Sequence, residues 1–437
     1  MKTFAVIAEY NPFHNGHLYL LNEVKKLTDA SYGIALMSGN FLQRGTAAIC
    51  DKYSRAYMAV RSGMDLCLEL PFVYATGSAY DFANGAVSIL DKLNVVDYLC
   101  FGAETEDIEV LDKISDILCN EPDDFSNILK GELKTGLSYP AARQNALIKY
   151  TGNSDIETII YEPNNILAIE YLSAIKRINS DIKPVIIKRN TAGYNDTSLN
   201  GNISSATAIR KYLETDIKNI SGLVLSNNKD ENLYDTEKEK IISILKSDIP
   251  NEALKLLADM YQKEYPLSEN HLITYIHNLL INDTDYEKYC DISKDLSNKI
   301  CSLEVTMSYS EILERLKTKD ITASRINRGL IHAILSYTDA DRKLFYDNGL
   351  SFYANILSFR KTSSELIRHI HEKSLIPLIT KKSDFKKYFY EYENINSAIA
   401  DRMWKLDMKA SNLYRSIVFE QSGYAIPNDC QYNLPIV

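Results

Sequence analysis

The chain has 437 residues, enough for two or three domains. Its hydrophobic content of 45% and charged content of 24% are typical of a globular protein, and no apolar stretch approaches the roughly 18 residues that span a bilayer, which argues against a membrane protein. The formal net charge of −9 excludes nucleic-acid binding over the whole surface, although a local basic patch remains compatible with it.

Seven scattered cysteines, none in C-x-x-C spacing, predict reduced and mostly structural thiols. The N-terminal residues lack the long apolar core and the cleavage site of a signal peptide. We therefore expect a cytoplasmic protein.

The first twenty residues predict a strand, a tight turn and the start of a helix. Residues 2–9 form a short apolar run, residues 11–13 interrupt it, and a helical pattern begins at His14. Such a unit leaves backbone N–H groups at the helix start pointing into a crevice, which favours phosphate. His14 and His17 lie three residues apart and face one side of the first turn, while Gly16 lets a ligand approach closely. Zinc is disfavoured, because no Cys or third His lies nearby.

Strands and helices then alternate, with further strands predicted at residues 32–37, 65–70, 95–101 and 184–189. This order predicts an α/β fold with a doubly wound parallel sheet, which binds ligands at the carboxyl ends of its strands. Residues 106–152 are predicted to be a helical insertion. A polar segment at residues 226–240 marks a boundary, so we expect an α/β domain at 1–235 and a mainly α-helical C-terminal domain at 240–437.

A second candidate site follows the last predicted strand, in the string ISSATAIR at residues 203–210. Ser204 or Ser205 is expected to cap a helix, and the hydroxyls with Arg210 could bind phosphates. The string could equally be an ordinary capped helix. Two further features lie at strand ends: Gly102, a candidate for close approach of a nucleotide, and Glu9, a candidate to orient the histidines.

The loop at residues 43–45, Gln-Arg-Gly, follows the second strand beside the expected site. Arg44 could bind a carboxylate or approach RNA, because arginine pairs with either anion in a bidentate manner. Lys52 and Arg55 on the next helix are expected to extend the same positive face.

The histidine motif resembles the H-x-G-H signature of the nucleotidyltransferase superfamily, which includes HUP-type, Rossmann-like folds. The longer string AEYNPFHNGH at residues 8–17, together with MSGNFLQRG at residues 37–45, resembles the bacterial tRNA(Met) cytidine acetate ligase family. ISSATAIR resembles the second signature of the superfamily. Ala168 stands where glycine is common in the family, a mild departure within a predicted helix.

The resemblance implies that ATP activates acetate as acetyl-adenylate and that the acetyl group passes to N4 of the wobble cytidine of elongator tRNA(Met). It implies catalytic roles for His14, His17, Ser205 and Arg210. It also implies ATP binding by Ile7, Ala8, Glu9, Tyr10, Asn11, Pro12, Phe13, His14, Asn15, Gly16, His17, Leu18, Tyr19, Leu20, Gly102, Asn165 and Arg189. Mg²⁺ is expected to accompany the triphosphate, without a dedicated protein site.

The C-terminal part carries cations and aromatic residues suited to a single-stranded anticodon loop. They are Arg325, Arg328, Arg360, Lys361, Arg368, Lys381, Lys382, Lys386 and Lys387, with Tyr388, Phe389 and Tyr390. Two alternatives stay open: a small-molecule adenylyltransferase that makes a coenzyme precursor, and a non-catalytic RNA-binding protein regulated by nucleotide. The oligomeric state is not predictable from the sequence.

Overall fold

The computed structural model describes residues 1–153, 155–189, 204–216, 231–267, 270–319, 321–392 and 394–437. Five strands from the first half of the chain form the centre of the sheet, and all five coincide with strands predicted from the sequence. They are β1 (Thr3–Ala8), β2 (Tyr32–Ser38), β3 (Leu66–Leu70), β4 (Tyr98–Ala103) and β5 (Lys183–Lys188).

Helices connect these strands in the way expected of a doubly wound sheet. They are α1 (Asn15–Thr28), α2 (Lys52–Arg61), α3 (Phe72–Ala75), α4 (Ala79–Lys92), α5 (Ile108–Asn120), α6 (Asp123–Lys134), α7 (Tyr139–Thr151), α8 (Asp155–Tyr161), α9 (Pro163–Arg177) and α10 (Ala206–Lys211). The predicted insertion at 106–152 is helical, and α8 lengthens it. A π-helical turn, Tyr212–Asp216, follows α10.

The second half of the chain is mainly helical, as the sequence predicts. Its helices are α11 (Glu231–Leu245), α12 (Asn251–Met260), α13 (Ile273–Asn282), α14 (Lys294–Ile300), α15 (Tyr309–Leu316), α16 (Ala323–Leu335), α17 (Asp339–Asp347), α18 (Ser364–Lys373) and α19 (Ser397–Ser422). Short 3₁₀ helices lie at Lys361–Ser363 and Lys382–Glu391. Two further strands are β6 (Ala354–Phe359) and β7 (Leu378–Ile379).

The strands form one seven-stranded sheet in the order β5-β4-β1-β2-β3-β6-β7. β1 pairs in parallel with both β2 and β4, so the direction of winding reverses between β1 and β4. A ligand crevice forms at such a switch point.

β6 joins the edge strand β3 in antiparallel register, and β7 pairs in parallel with β6. The sheet therefore includes residues from both sides of the predicted boundary near residue 240. The division into two domains with different functions stays a prediction, and the sheet contains strands from both of them.

The polar segment at 226–240, predicted to mark a boundary, is helical from residue 231 onward, where α11 begins. Ile241 and Leu245, four residues apart, are fully buried, and their packing stabilises the helix despite the charge-dense sequence before them. The sequence also predicts a polar loop at residues 190–202, after the fifth strand. This loop and the start of the polar segment, residues 226–230, lie outside the described residues.

Both faces of the central sheet are buried, as is usual for parallel strands covered by crossover helices. Phe4 and Val6 of β1 pack on the side of α1, α2 and α12. Ala5 points to the opposite face, where Phe82 of α4 and Leu172 of α9 pack. Because the side chains of β1 pack alternately on both faces of the sheet, β1 is held firmly and positions the residues that follow it. No helix within the described ranges is long and apolar enough to cross a membrane.

Candidate active site

A cavity of about 710 Å³ opens beside the carboxyl ends of β1, β4 and β5, at the predicted edge of the sheet. The predicted site residues that line it are Ile7, Ala8, Glu9, Tyr10, Asn11, His14, Gly16, His17, Tyr19, Leu20, Gly102, Arg189, Ser205 and Arg210. The remaining predicted nucleotide contacts, Pro12, Phe13, Asn15, Leu18 and Asn165, do not line it.

His14 and His17 lie against each other at the start of α1, with ring centroids 3.9 Å apart. His14 is the N-cap residue, and its Nδ1 accepts the N–H of Gly16 at 3.0 Å. Nδ1 of His17 accepts the N–H of His14 at 3.2 Å, which completes a reciprocal capping box. Tyr10 packs edge-on against the His17 ring at 4.9 Å. Both imidazoles are therefore held in defined orientations.

Both histidines are neutral at physiological pH. Burial, together with the positive charges of Arg189 and Arg210, lowers the pKa of His14 from 6.5 to about 3, against a smaller opposing effect of Asp248. Burial also lowers the pKa of His17 well below its usual value, with contributions from His14 and Arg189. Because each Nδ1 accepts a backbone N–H, the single ring proton lies on Nε2. The site thus carries two neutral Nε2–H donors.

The sequence suggested that backbone N–H groups at the start of α1 would bind phosphate, and the structure corrects this. The N–H of Asn15 donates to the carbonyl of Asp248 at 2.8 Å, and the N–H groups of His17 and Leu18 donate to the carbonyl of His14 at 2.9 and 3.2 Å. Gly16 donates to His14 Nδ1. The first-turn amides already have acceptors, so the imidazoles are the donors that this turn offers a ligand.

The second predicted signature meets the first at the same cavity. Ser205 caps α10, its hydroxyl accepting the N–H of Ala208 at 3.1 Å. Arg210 Nη1 donates to the carbonyl of Asn11 at 2.8 Å, and Nη2 contacts the hydroxyl of Thr207 at 3.3 Å. The guanidinium is thereby fixed beside the turn that carries the histidines, where it provides a permanent positive charge.

A third group closes the cavity after β4 and β5. Arg189 Nη1 donates to Asn164 Oδ1 at 2.9 Å, and the carboxylate of Glu104 accepts from Asn164 Nδ2 and from the N–H of Asn165. Asn164, not the predicted Asn165, lines the cavity; Asn165 is buried behind it, where its Oδ1 accepts the N–H of Glu104 at 3.0 Å. A Cβ at Gly102 would lie 3.1 Å from Cγ of Arg189, so glycine makes room for this arginine.

The loop at residues 41–48 forms the opposite wall. Glu9, which the sequence offers as a candidate to orient the histidines, binds the loop instead: its Oε1 accepts the N–H of Gln43 at 3.0 Å and anchors the loop. Gly45 has φ +72°, and a Cβ there would lie 2.6 Å from the carbonyl carbon of Asn327 on α16. The loop is thus held between β1 and α16, and it presents Gln43 and Arg44 to the cavity.

Arg55 was predicted to extend a positive surface, and this prediction is wrong because the residue is fully buried. Its Nε donates to the carbonyl of Cys50 at 3.0 Å, Nη1 to Glu9 at 2.5 Å, and Nη2 to Ser38 at 3.2 Å and to Gly39. The guanidinium satisfies four carbonyls, three of which lie at the carboxyl ends of β1 and β2. Arg55 therefore stabilises the backbone at the carboxyl ends of β1 and β2, beside the cavity.

Lys52 is also buried, which overturns its predicted surface role. Its Nζ lies 2.7 Å from Glu69 and 2.6 Å from Asp429, and it donates to the hydroxyl of Ser411 at 2.8 Å. Burial alone would lower the pKa of Lys52, but the two carboxylates outweigh it and raise the pKa. The sequence cannot reveal such partners, because they lie far apart in the chain.

The helical half of the chain completes the cavity, a contribution that sequence motifs did not indicate. Tyr309, Ser310 and Leu313 of α15 line it together with Asn327 of α16. The hydroxyl of Tyr309 donates to Asn327 Oδ1 at 2.7 Å. Aromatic, amide and hydroxyl groups therefore line the same cavity as the two histidines.

The predicted RNA-binding cations divide into two groups. Lys361, Arg368, Lys381, Lys386 and Lys387 are exposed, and so is 82% of Tyr390. The other predicted positions are engaged within the protein: Lys382 is buried against Tyr53, Arg328 pairs with Asp291, and Arg325 and Arg360 donate to backbone carbonyls. Burial and neighbouring Lys52 lower the pKa of Lys382 to about 8.

Within the described ranges, no group of three or more His, Cys, Asp or Glu side chains is arranged to hold a metal ion. The donors around the cavity are mainly N–H groups and cations, which suit phosphate oxygens and not a divalent metal.

Comparison with known proteins assigns the chain to a family. The family model described as HIGH Nucleotidyl Transferase matches residues 1–426. A tRNA(Met) cytidine acetate ligase of Caldanaerobacter subterraneus subsp. tengcongensis is 38% identical over 417 residues, covering 95% of each chain. The protein of the same name from Acetivibrio thermocellus is 38% identical over 419 residues, covering 95% of this chain and 94% of that one. The chain belongs to the tRNA(Met) cytidine acetate ligase family, within the HIGH nucleotidyl transferases.

Solved structures extend the match to the fold. The apo crystal structure of Thermotoga maritima TmcAL superposes with a TM-score of 0.89 at 32% identity and full coverage of both chains. The same protein bound to alpha-thio ATP has a TM-score of 0.86 at 30% identity, covering 100% of this chain and 99% of that chain. The predicted nucleotidyltransferase-type α/β fold and the predicted identity of the chain as a ligase of this family are confirmed.

Proposed function

We propose that this protein activates acetate with ATP and transfers the acetyl group to N4 of the wobble cytidine of elongator tRNA(Met). A carboxylate oxygen of acetate attacks the α-phosphorus, the bond to the bridging oxygen of pyrophosphate breaks, and acetyl-adenylate forms. The cytidine N4 then attacks the acetyl carbonyl, AMP leaves, and N4 releases one proton. The names of the relatives and the bound nucleotide of the Thermotoga neighbour support this reaction.

The pair of neutral histidines is the observation that carries the proposal. During attack on the α-phosphorus, negative charge builds on the non-bridging oxygens, and fixed donors at that place lower the barrier. The Nε2–H groups of His14 and His17 can fill this role without a proton transfer, because both rings stay neutral and are oriented by backbone hydrogen bonds.

Arg210 and Ser205 are proposed to hold the leaving pyrophosphate. The guanidinium has a fixed position beside the histidine turn, and its charge offsets the charge of the departing group. Ser205 lines the same cavity and adds a hydroxyl. Arg189, Gly102 and the residues that follow β1 would then contact the nucleoside and the α-phosphate, with Asn165 acting through the Glu104 turn.

Mg²⁺ is proposed to enter with ATP, bound to phosphate oxygens and water, since the described residues offer it no carboxylate cluster. When bound, it would neutralise part of the triphosphate charge. The side chains of the cavity keep their roles as donors to the remaining oxygens.

The loop with Gln43 and Arg44 is proposed to receive the acetate carboxylate or the approaching RNA, because both are anions that arginine binds. The acceptor cytosine would enter from the side of α15 and α16, where Tyr309 and Asn327 offer stacking and hydrogen-bonding groups. Residues 1–235 would thus supply ATP chemistry, and residues 240–437 the tRNA surface, including the anticodon loop contacts. Because ATP and tRNA are substrates of the cytoplasm, we propose that location.

Acetate-dependent exchange of labelled pyrophosphate into ATP tests the first half-reaction in the absence of RNA. We expect exchange with acetate and none without it. Exchange with another acceptor, such as a phosphorylated coenzyme precursor, and not with acetate, would replace the proposal with a small-molecule adenylyltransferase. Nucleotide binding without any exchange would favour a regulated RNA-binding protein.

A further inference from the structure

Asp248 lies in the turn between α11 and α12, outside both nucleotide signatures, and only 1% of it is exposed. Its carbonyl accepts the N–H of Asn15, the first residue of α1, at 2.8 Å. Its Oδ1 accepts the N–H of Ser204, which precedes the cap of α10, at 3.0 Å. One residue therefore binds both segments that approach the phosphates.

The neighbouring residue strengthens the same connection. The carbonyl of Ser247 accepts Nδ2 of Asn15 at 2.7 Å, and the hydroxyl of Ser247 donates to Asp248 Oδ2 at 2.9 Å. The turn at residues 247–248 thus makes two contacts with the start of α1 and one with the start of α10. His14 and Ser205 are the direct chain neighbours of the residues that it holds.

The charge of Asp248 cannot be what the site needs for an anionic ligand, because a carboxylate near a triphosphate repels it. The carboxylate instead supplies a fixed oxygen that accepts the buried N–H of Ser204. A neutral side chain with an acceptor oxygen at the same place should therefore replace it.

We propose that Asp248 is a positioning residue that sets the distance between the histidine turn and the Ser205–Arg210 helix, and thereby the affinity for the triphosphate. The inference rests on the proposed function, since it assigns ATP to this cavity. It also makes the ATP site depend on the helical half of the chain, which supplies residue 248.

The test compares ATP binding, by isothermal titration calorimetry, and the KM for ATP in four proteins: wild type, Asp248→Ala, Asp248→Asn and the control Asp65→Ala. Asp65 accepts a backbone N–H and a serine hydroxyl, as Asp248 does, but at the opposite edge of the sheet. Measurements are made well below the lowest melting temperature, so that every variant is folded.

We expect Asp248→Ala to weaken ATP binding and raise KM for ATP about tenfold or more, because a buried N–H loses its acceptor. Asp248→Asn should stay within about threefold of wild type, since its Oδ1 still accepts from Ser204 and the Ser247 hydroxyl can turn to accept from its amide. Asp65→Ala should lower the melting temperature and leave the affinity for ATP unchanged.

Equal ATP affinity in Asp248→Ala and wild type would overturn the inference, and so would an Asp248→Asn variant as impaired as Asp248→Ala or a matching loss in Asp65→Ala. If Asp248→Ala does not fold, Asn15→Ala removes the contact with Ser247 from the side of α1 and should raise KM about threefold or more; an unchanged KM would count against the inference. A wild-type protein that binds no ATP would instead overturn the proposed function, and the inference with it.

Discussion

At the scale of single residues, the proposed chemistry depends on which nitrogen of each imidazole carries the proton. The backbone N–H groups that bind Nδ1 of His14 and His17 fix this choice, and burial keeps both rings uncharged. A short capping box thus does two things: it starts α1, and it fixes two Nε2–H donors at the cavity.

Substitution of His17 separates these two contributions. His17→Asn keeps an oxygen near the position of Nδ1 but removes the Nε2 donor, so we expect kcat for acetate-dependent exchange to fall about 10²–10³-fold with the fold intact. His17→Gln places an amide donor near the position of Nε2 and should retain more activity. Stopped-time exchange assays measure kcat, and circular dichroism checks that each variant is folded. Equal activity in His17→Asn and wild type would contradict the assigned role.

The low pKa of His14 makes the stability of the folded protein depend on pH. The unfolded chain takes up a proton on this imidazole near pH 6.5, but the folded protein does so only near a pKa of about 3. Stability is therefore fully present above about pH 6.5 and is lost as the pH falls through this window towards 3.

We accordingly expect the free energy of unfolding of wild type to fall more steeply between about pH 6.5 and pH 4.5 than that of His14→Asn, which has no titrating group there. Urea unfolding at a series of pH values measures both slopes. Identical slopes would show that His14 titrates normally in the folded protein.

At the scale of elements, the loop at residues 41–48 is the part of the site whose position depends on one glycine. Gly45→Ala adds a side chain at φ +72° against the backbone of Asn327 and Arg328. We expect a loss of about 1–3 kcal/mol in stability and a larger fractional loss of activity, because Gln43 and Arg44 are displaced. Gly131→Ala in α6, where nothing lies within 4 Å, is the control and should be neutral or slightly stabilising. Comparable losses in both variants would refute the special position of Gly45.

The five central strands, the capping of α10 and the position of the cavity were predictable, because apolar runs, turn residues and strand order are local properties of the sequence. The burial of Lys52 and Arg55 was not predictable. Their partners are Asp429, almost at the end of the chain, and backbone carbonyls that come together only in the fold. In the sequence, a charged residue on a predicted helix looks the same whether the fold buries it or leaves it exposed.

Asp248 and Asn164 show the same limit at the site itself. Asn164 and Asn165 are adjacent and chemically identical, and only the rotation of α9 decides which of them faces the cavity. Asp248 belongs to no motif, and its place between two signatures follows from the return of the chain through α11.

At the scale of the whole molecule, ATP chemistry and RNA recognition are proposed to be supplied by different parts of one continuous sheet and its helices. The exposed Lys386 and Lys387 lie in the 3₁₀ helix that follows β7, far along the chain from the histidines. An acidic protein can bind RNA through such a local group of cations.

Replacing these two lysines should therefore affect only the RNA step. We expect Lys386→Glu with Lys387→Glu to raise KM for tRNA about tenfold or more at low salt, with a weaker salt dependence, while acetate-dependent pyrophosphate exchange stays at the wild-type rate. Lys405→Glu, a charge reversal on α19 at a lysine outside the predicted set, is the control. Unchanged KM for tRNA in the double variant would place the RNA surface elsewhere.

In the proposed function, the cavity joins ATP-driven carboxylate activation to acetylation of an RNA base. The most direct test of this function is incubation of the purified protein with ATP, labelled acetate and total tRNA, followed by mass spectrometry of the tRNA nucleosides. We expect labelled N4-acetylcytidine in elongator tRNA(Met), together with AMP and pyrophosphate, and loss of the labelled nucleoside in His17→Asn. Release of pyrophosphate with no labelled nucleoside, or labelled nucleoside that persists in His17→Asn, would contradict the proposed function.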